Sequence, residues 1–103
     1  MDFDLEEGLY VFEVTLAYRV GDAEQMTTPF VIQADDGEEA EETVIEYLEA
    51  LHLGSKFWIV EVSGPYDPVE YQKLVDEGEQ ERWDRLEDYS EEDFHEVLQS
   101  EEL

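Results

Sequence analysis

Three features of the chain predict an α+β fold: a long run of strictly alternating residues, a capped amphipathic helix after it, and a further β-branched run beyond that helix. The first run is "LYVFEVTLAYRV", Leu9 to Val20. Tyr10, Phe12, Val14, Leu16, Tyr18 and Val20 point one way, and Leu9, Val11, Glu13, Thr15, Ala17 and Arg19 the other. A period of two with β-branched and aromatic residues is a strand with one strongly apolar face. "GDAE" (Gly21–Glu24) supplies a turn, and "QMTTPFVIQA" (Gln25–Ala34) returns as a second strand. Pro29 has no N–H for a ladder, so this strand is expected at an edge or with a bulge.

"DDGEEAEETVIEYLEAL" is the helix. Asp35 or Asp36 can accept from its first free N–H groups, with Glu38 or Glu39 as the reciprocal partner. Ala40, Val44, Tyr47, Leu48 and Leu51 fall on one stripe, and Gly54 is expected to end the helix in a left-handed conformation. "KFWIVEVS" (Lys56–Ser63) reads as the third strand, closed by Gly64-Pro65. Asp67 caps a short helix with Pro68 at its first position and Gly78 as its stop. The expected architecture is a small three-stranded antiparallel sheet, β-β-α-β in spatial order 2-1-3, with the helix on the aromatic face and short C-terminal helices.

The division expected along the chain is an α+β core over residues 1–78 and an acidic helical extension over 79–103. Beyond Gly78 the apolar residues thin to Trp83, Leu86, Tyr89, Phe94, Val97 and Leu98. Ser90 with Asp93 reads as a new helix start, and Glu81 with Arg85 as an i,i+4 ion pair. These apolar residues are expected either to pack on the second face of the sheet or to anchor a partner.

Charge is the outlier. Thirty-one Asp and Glu face five Lys and Arg in 103 residues, for a formal charge of −26. No basic patch can be assembled, which excludes direct binding to nucleic acid or to an anionic membrane. With 42% apolar residues the chain can still fill a core, so disorder is not the expectation for the first three-quarters. Cysteine is absent, so disulfides and thiolate metal sites are excluded. The stretch "MDFDLEEGLY" carries acids where a signal peptide needs cations, and no apolar run reaches membrane-spanning length. A cytoplasmic location is expected.

Reactive constellations are missing. Asp2, Asp4, Glu6 and Glu13 imitate calcium-loop spacing, but the obligatory glycine is Glu7, so the site is rejected. His52 and His95 belong to no metal-ligand or catalytic spacing; His52 suits the carboxyl end of the helix. No serine sits in a nucleophile elbow, and carboxylate pairs are uninformative in so acidic a chain. Neither enzymatic activity, nor a metal, nor a cofactor is expected.

What remains is the arrangement of acids. Glu39, Glu42, Glu46 and Glu49 make a line along the helix, with Glu38 beside it, all away from the apolar stripe. Neighbours in such a line stand about 5–6 Å apart, while a DNA strand sets a phosphate at roughly every 3.4 Å of axis. The line therefore approximates a row of phosphates. Asp84, Glu87, Asp88, Glu91 and Glu92 can extend it. The leading expectation is a non-catalytic nucleic-acid mimic that occupies the basic groove of a DNA- or RNA-binding protein, such as a host defence nuclease. Two alternatives compete with it: a domain whose acidity is adaptation to molar salt, and an adaptor that docks through its acidic-aromatic C-terminal segment.

Overall fold

The computed structural model describes residues 8–80 and 83–100. The acidic lead-in with Asp2, Asp4 and Glu6 lies outside them, as does Glu81. The sheet is built around β1 (Tyr10–Val20), whose eleven residues carry the alternation seen in the sequence. On one edge it pairs antiparallel with β2 (Ala23–Met26) and β3 (Phe30–Ala34), and on the other with β4 (Phe57–Tyr66). β4 faces Val11 to Tyr18, overlapping the partners of both β2 and β3, so those two must share the remaining edge. They form one interrupted strand, and the expected order 2-1-3 holds.

The interruption has a local cause. Thr27 to Pro29 leave the ladder, and the register slips by one residue between Ala17↔Met26 and Val14↔Phe30. Thr27 repairs the gap from both sides. Its N–H donates to the Leu16 carbonyl at 2.9 Å, and its hydroxyl accepts from the Leu16 N–H at 3.2 Å. The turn from β1 to β2 is only Gly21-Asp22, with Gly21 at φ 60°, as a glycine-led two-residue hairpin requires.

One face of the sheet carries the main core. Phe12, Val14, Leu16, Tyr18, Phe30, Ile32 and Phe57 pack under α1 (Gly37–Ala50), which contributes Ala40, Val44 and Leu48. The C-terminal segment closes the same face. Leu86, in a short 3-10 turn (Leu86–Asp88), and Phe94, on α3 (Glu91–Ser100), are both buried. Phe94 is a hub of rings, with centroids 5.8 Å from Phe30, 5.1 Å from Phe57 and 5.3 Å from Tyr89. Each such pair adds about 0.5–1.5 kcal/mol beyond area burial.

The second face holds a smaller cluster, Val11, Val31 and Tyr71, with Val75 and Trp83 against it. Tyr71 comes from α2 (Pro68–Asp76), and its hydroxyl donates to the Glu13 carboxylate at 2.6 Å. Gln80 Nε2 donates to the same carboxylate at 2.8 Å. Glu13, the polar interruption in the second face of β1, is thus the acceptor that ties down α2 and the residues after it. The packing expected of the tail is corrected here. Only Trp83 joins the second face, while Leu86, Tyr89, Phe94, Val97 and Leu98 join the first. The chain crosses the outer edge of β3 between them. Val31 N–H donates to the Asp84 carbonyl at 2.8 Å, and Val31 bridges Arg85 in parallel sense. An otherwise free strand edge is covered in the process.

Other expectations are met or revised at the termini of elements. Asp36 caps α1 through the Glu39 N–H at 2.8 Å, and Glu39 Oε1 accepts from the Asp35 N–H at 3.3 Å. Asp67 accepts from Val69 and Glu70 at the start of α2, and Ser90 and Asp93 bond reciprocally before α3. The end of α1 is different from the expectation. His52, not Gly54, takes the left-handed position at φ 61°. The Leu53 N–H reaches the Leu48 carbonyl at 2.8 Å and the His52 N–H the Glu49 carbonyl at 3.0 Å, a Schellman closure. Burying Leu53 against Leu48 in the core decides the stop point, and His52 absorbs the backbone cost. β4 also runs on through Gly64-Pro65 to Tyr66 instead of ending at Ser63. Gly64, at φ 126°, lies so close to β1 that a Cβ would stand 2.8 Å from the Val11 carbonyl oxygen. Only glycine lets the strand pass. Arg85, in an extended segment, meets Glu87 at 2.9 Å, and Glu81, its expected partner, lies outside the described residues.

Candidate interaction surface

α1 lies with Ala40, Val44 and Leu48 on the sheet, and this fixes the direction of everything else on it. Glu38, Glu39, Glu42, Glu46 and Glu49 are all exposed, as is Glu41 beside them. Helical hydrogen bonding sets their spacing, with neighbours about 5–6 Å apart. Two of them sit favourably in the first turn, next to the partial positive charge of the helix start. The last turn has no Lys or Arg to relieve Glu49. Glu39 also has structural work, through its bond to the Asp35 N–H.

Asp84, Glu87, Asp88, Glu91 and Glu92 are exposed as well, although they stand on three different kinds of backbone. Asp84 is in the extended clamp on β3, Glu87 and Asp88 are in the 3-10 turn, and Glu91 and Glu92 open α3. Two are partly committed. Asp84 Oδ2 accepts from the Tyr89 hydroxyl at 3.2 Å, and Glu87 is paired with Arg85.

The two segments that carry these acids are joined at Tyr47. Its hydroxyl, from the last turn of α1, donates to the backbone carbonyl of Tyr89 and approaches that of Glu87 at 3.4 Å. Burial, then the negative charge of Asp88, Glu87 and Asp93, holds the Tyr47 phenol above its ordinary value. Tyr89 is raised too, by burial and then by Asp84. Both phenols stay neutral donors at neutral pH, Tyr47 joining the 3-10 turn to α1 and Tyr89 bonding Asp84. Two acid-bearing segments forty residues apart in sequence are thereby tied together. Asp93, which the sequence marks only as a partner of Ser90, and Glu96, which it does not single out, stand beside the acids of the C-terminal segment. With Asp84, Asp88, Tyr89 and Val97 they border a hollow of 390 Å³. Tyr47 was legible only as a member of the apolar stripe; nothing in a single sequence says which backbone its hydroxyl will find.

No protein-family model, characterised protein or solved structure matches this chain. Its chemistry must be read from the surface itself. Among the described residues, no group of three or more His, Asp or Glu is arranged to hold a metal ion. No helix among them is long and apolar enough to cross a membrane. His52 is exposed at the end of α1 and His95 is half-buried on α3. The residues expected as adaptor anchors face inward: Leu86 and Phe94 are buried, and Tyr89, Val97 and Leu98 pack against the same core. What the surface offers is a field of fixed negative charge on a folded support.

Proposed function

We propose that the protein is an anionic decoy, a nucleic-acid mimic whose carboxylates occupy the phosphate-binding surface of a basic DNA- or RNA-binding protein. The observation that carries this reading is the junction at Tyr47, which ties α1 and its exposed acids to the segment that bears the second group. Acids scattered only for hydration need no such bond between two distant segments. The mechanism is electrostatic. Carboxylates replace phosphates on the partner's Lys and Arg, the net charge of −26 speeds encounter, and salt weakens the complex. Such a role needs no reactive centre, metal or cofactor, and it places the protein where its nucleic-acid-binding target works.

Salt is the test. A mimic is folded near physiological ionic strength, where the Debye length is about 8 Å, and loses its partner as salt rises. A domain whose acidity is salt adaptation behaves oppositely: it unfolds in dilute buffer and refolds in molar KCl, where the Debye length falls to about 3 Å. Circular dichroism across a KCl series separates the two. Native signal in dilute buffer, with salt-eluted capture of a nucleic-acid-binding protein, supports the mimic; a chain unfolded below about 0.2 M salt ends that reading.

A further inference from the structure

Ile45 is the exception on the acidic side of α1. It is 48% exposed and stands between acids on the helix surface. Beside it, between α1 and β4, runs a groove of 340 Å³. Its apolar lining is Ile45, Leu48, Phe57 and Ile59, and Glu41 and Glu49 complete the border. Gly54 and Trp58 line the rest of it, and among the described residues no Lys or Arg does. Among the described residues β4 pairs only with β1, so the groove opens along the free side of that strand.

We propose that this groove receives a large apolar side chain, Leu or Phe in type, carried on an Arg- or Lys-flanked segment of the basic partner. The inference rests on the decoy reading and names how the partner is held once attraction has brought it in. Charge selects the occupant. A second copy of this chain would bring its own −26 against Glu41 and Glu49. A neutral apolar segment would leave both carboxylates without a counter-charge at the rim of a desolvated contact. An apolar side chain between cations satisfies both parts, as a buried anchor inside a charged rim does at other interfaces. The role of the groove follows: it supplies the fraction of affinity that salt does not remove.

The experiment uses the full chain and two synthetic peptides of equal charge, with arginines flanking either Leu-Phe or Ser-Gly. Binding is followed by NMR on isoleucine methyls and the Trp58 indole, at two salt concentrations. The expected result is that both peptides perturb the acidic surface, but only the Leu-Phe peptide moves Ile45, Ile59 and Trp58 and keeps affinity at the higher salt. Ile45→Glu should then weaken the Leu-Phe peptide by about tenfold, the loss of one well-buried apolar contact. The same variant should leave the Ser-Gly peptide unchanged or slightly tighter, because it adds negative charge. Equal binding of both peptides with the groove resonances unmoved overturns the groove and leaves the decoy reading standing. Failure of both peptides to bind at physiological salt overturns both.

Discussion

Glu42 and Glu46 stand on α1, where helical hydrogen bonds fix their separation whatever the rest of the molecule does. Asp84 and Asp88 stand on an extended clamp and a 3-10 turn, and their places depend on tertiary contacts. The first array is local and regular; the second is assembled by Val31, Tyr47, Tyr89 and Phe94. A surface of this kind can therefore be half destroyed without unfolding the sheet. Substitutions that act on the tertiary contacts should separate the two halves.

Phe94→Ala should act most strongly. It removes the hub of the ring cluster and leaves a cavity between Phe30 and Phe57, at a cost of about 3–5 kcal/mol. Denaturant unfolding measures the loss. NMR shifts should move throughout residues 84–98 while the amides of α1 between Glu38 and Glu46 hold. If both regions shift alike, the distinction between a local and an assembled array is wrong. Gly64→Ala comes next, since it places a Cβ 2.8 Å from the Val11 oxygen and keeps the residue at φ 126°. Strain of about 1–3 kcal/mol is expected in the sheet, lowering global stability without preferential release of the C-terminal segment.

The same contrast explains what the sequence made legible. The strand alternation, the α1 stripe and the exposed line of glutamates all follow from short periods, and each of these lies where its period puts it. The misreadings lie where a distant contact decides. Gly54 looked like the stop of α1 because glycine tolerates positive φ, yet packing of Leu53 forces that conformation on His52. Gly64-Pro65 looked like the end of β4, yet the missing Cβ is what lets that strand continue past Val11. Trp83 and Leu86 are three residues apart and lie on opposite faces because the chain crosses the β3 edge between them. No periodicity encodes a crossing.

Tyr47→Phe tests the junction itself. Losing the hydroxyl's bonds to the Glu87 and Tyr89 carbonyls should cost about 0.5–1.5 kcal/mol, mostly as faster hydrogen exchange in the 3-10 turn. The pH dependence has a definite sign. The folded phenols of Tyr47, Tyr71 and Tyr89 are all held above their ordinary value, first by burial; Glu13 then acts on Tyr71. Their contribution is complete below pH about 10, the unfolded value, and disappears as pH rises through the higher folded values. An alkaline denaturation followed by phenolate absorbance should show cooperative loss of structure with ionisation. Tyr47→Phe should reduce the part of that loss assigned to the C-terminal segment; an unchanged profile would mean that the junction carries no linkage.

The smallest effect, and the only gain, is expected at Glu42. It has Glu38 and Glu46 as i,i+4 neighbours, and like-charge pairs at that spacing destabilise a helix by about 0.2–0.5 kcal/mol each. Glu42→Gln relieves both, keeps helix propensity, and touches no hydrogen bond of the tertiary fold. Stability should rise by a few tenths of a kcal/mol in dilute buffer, and the gain should shrink as salt shortens the Debye length. Affinity for a basic partner should move the other way. A decoy bears repulsion along α1 because the partner's cations relieve it on binding, so removing one carboxylate must weaken the complex while it strengthens the free protein. Opposite signs in the two measurements fit the decoy; a stability gain with no change in affinity would place Glu42 outside the contact and restrict the surface to the assembled half.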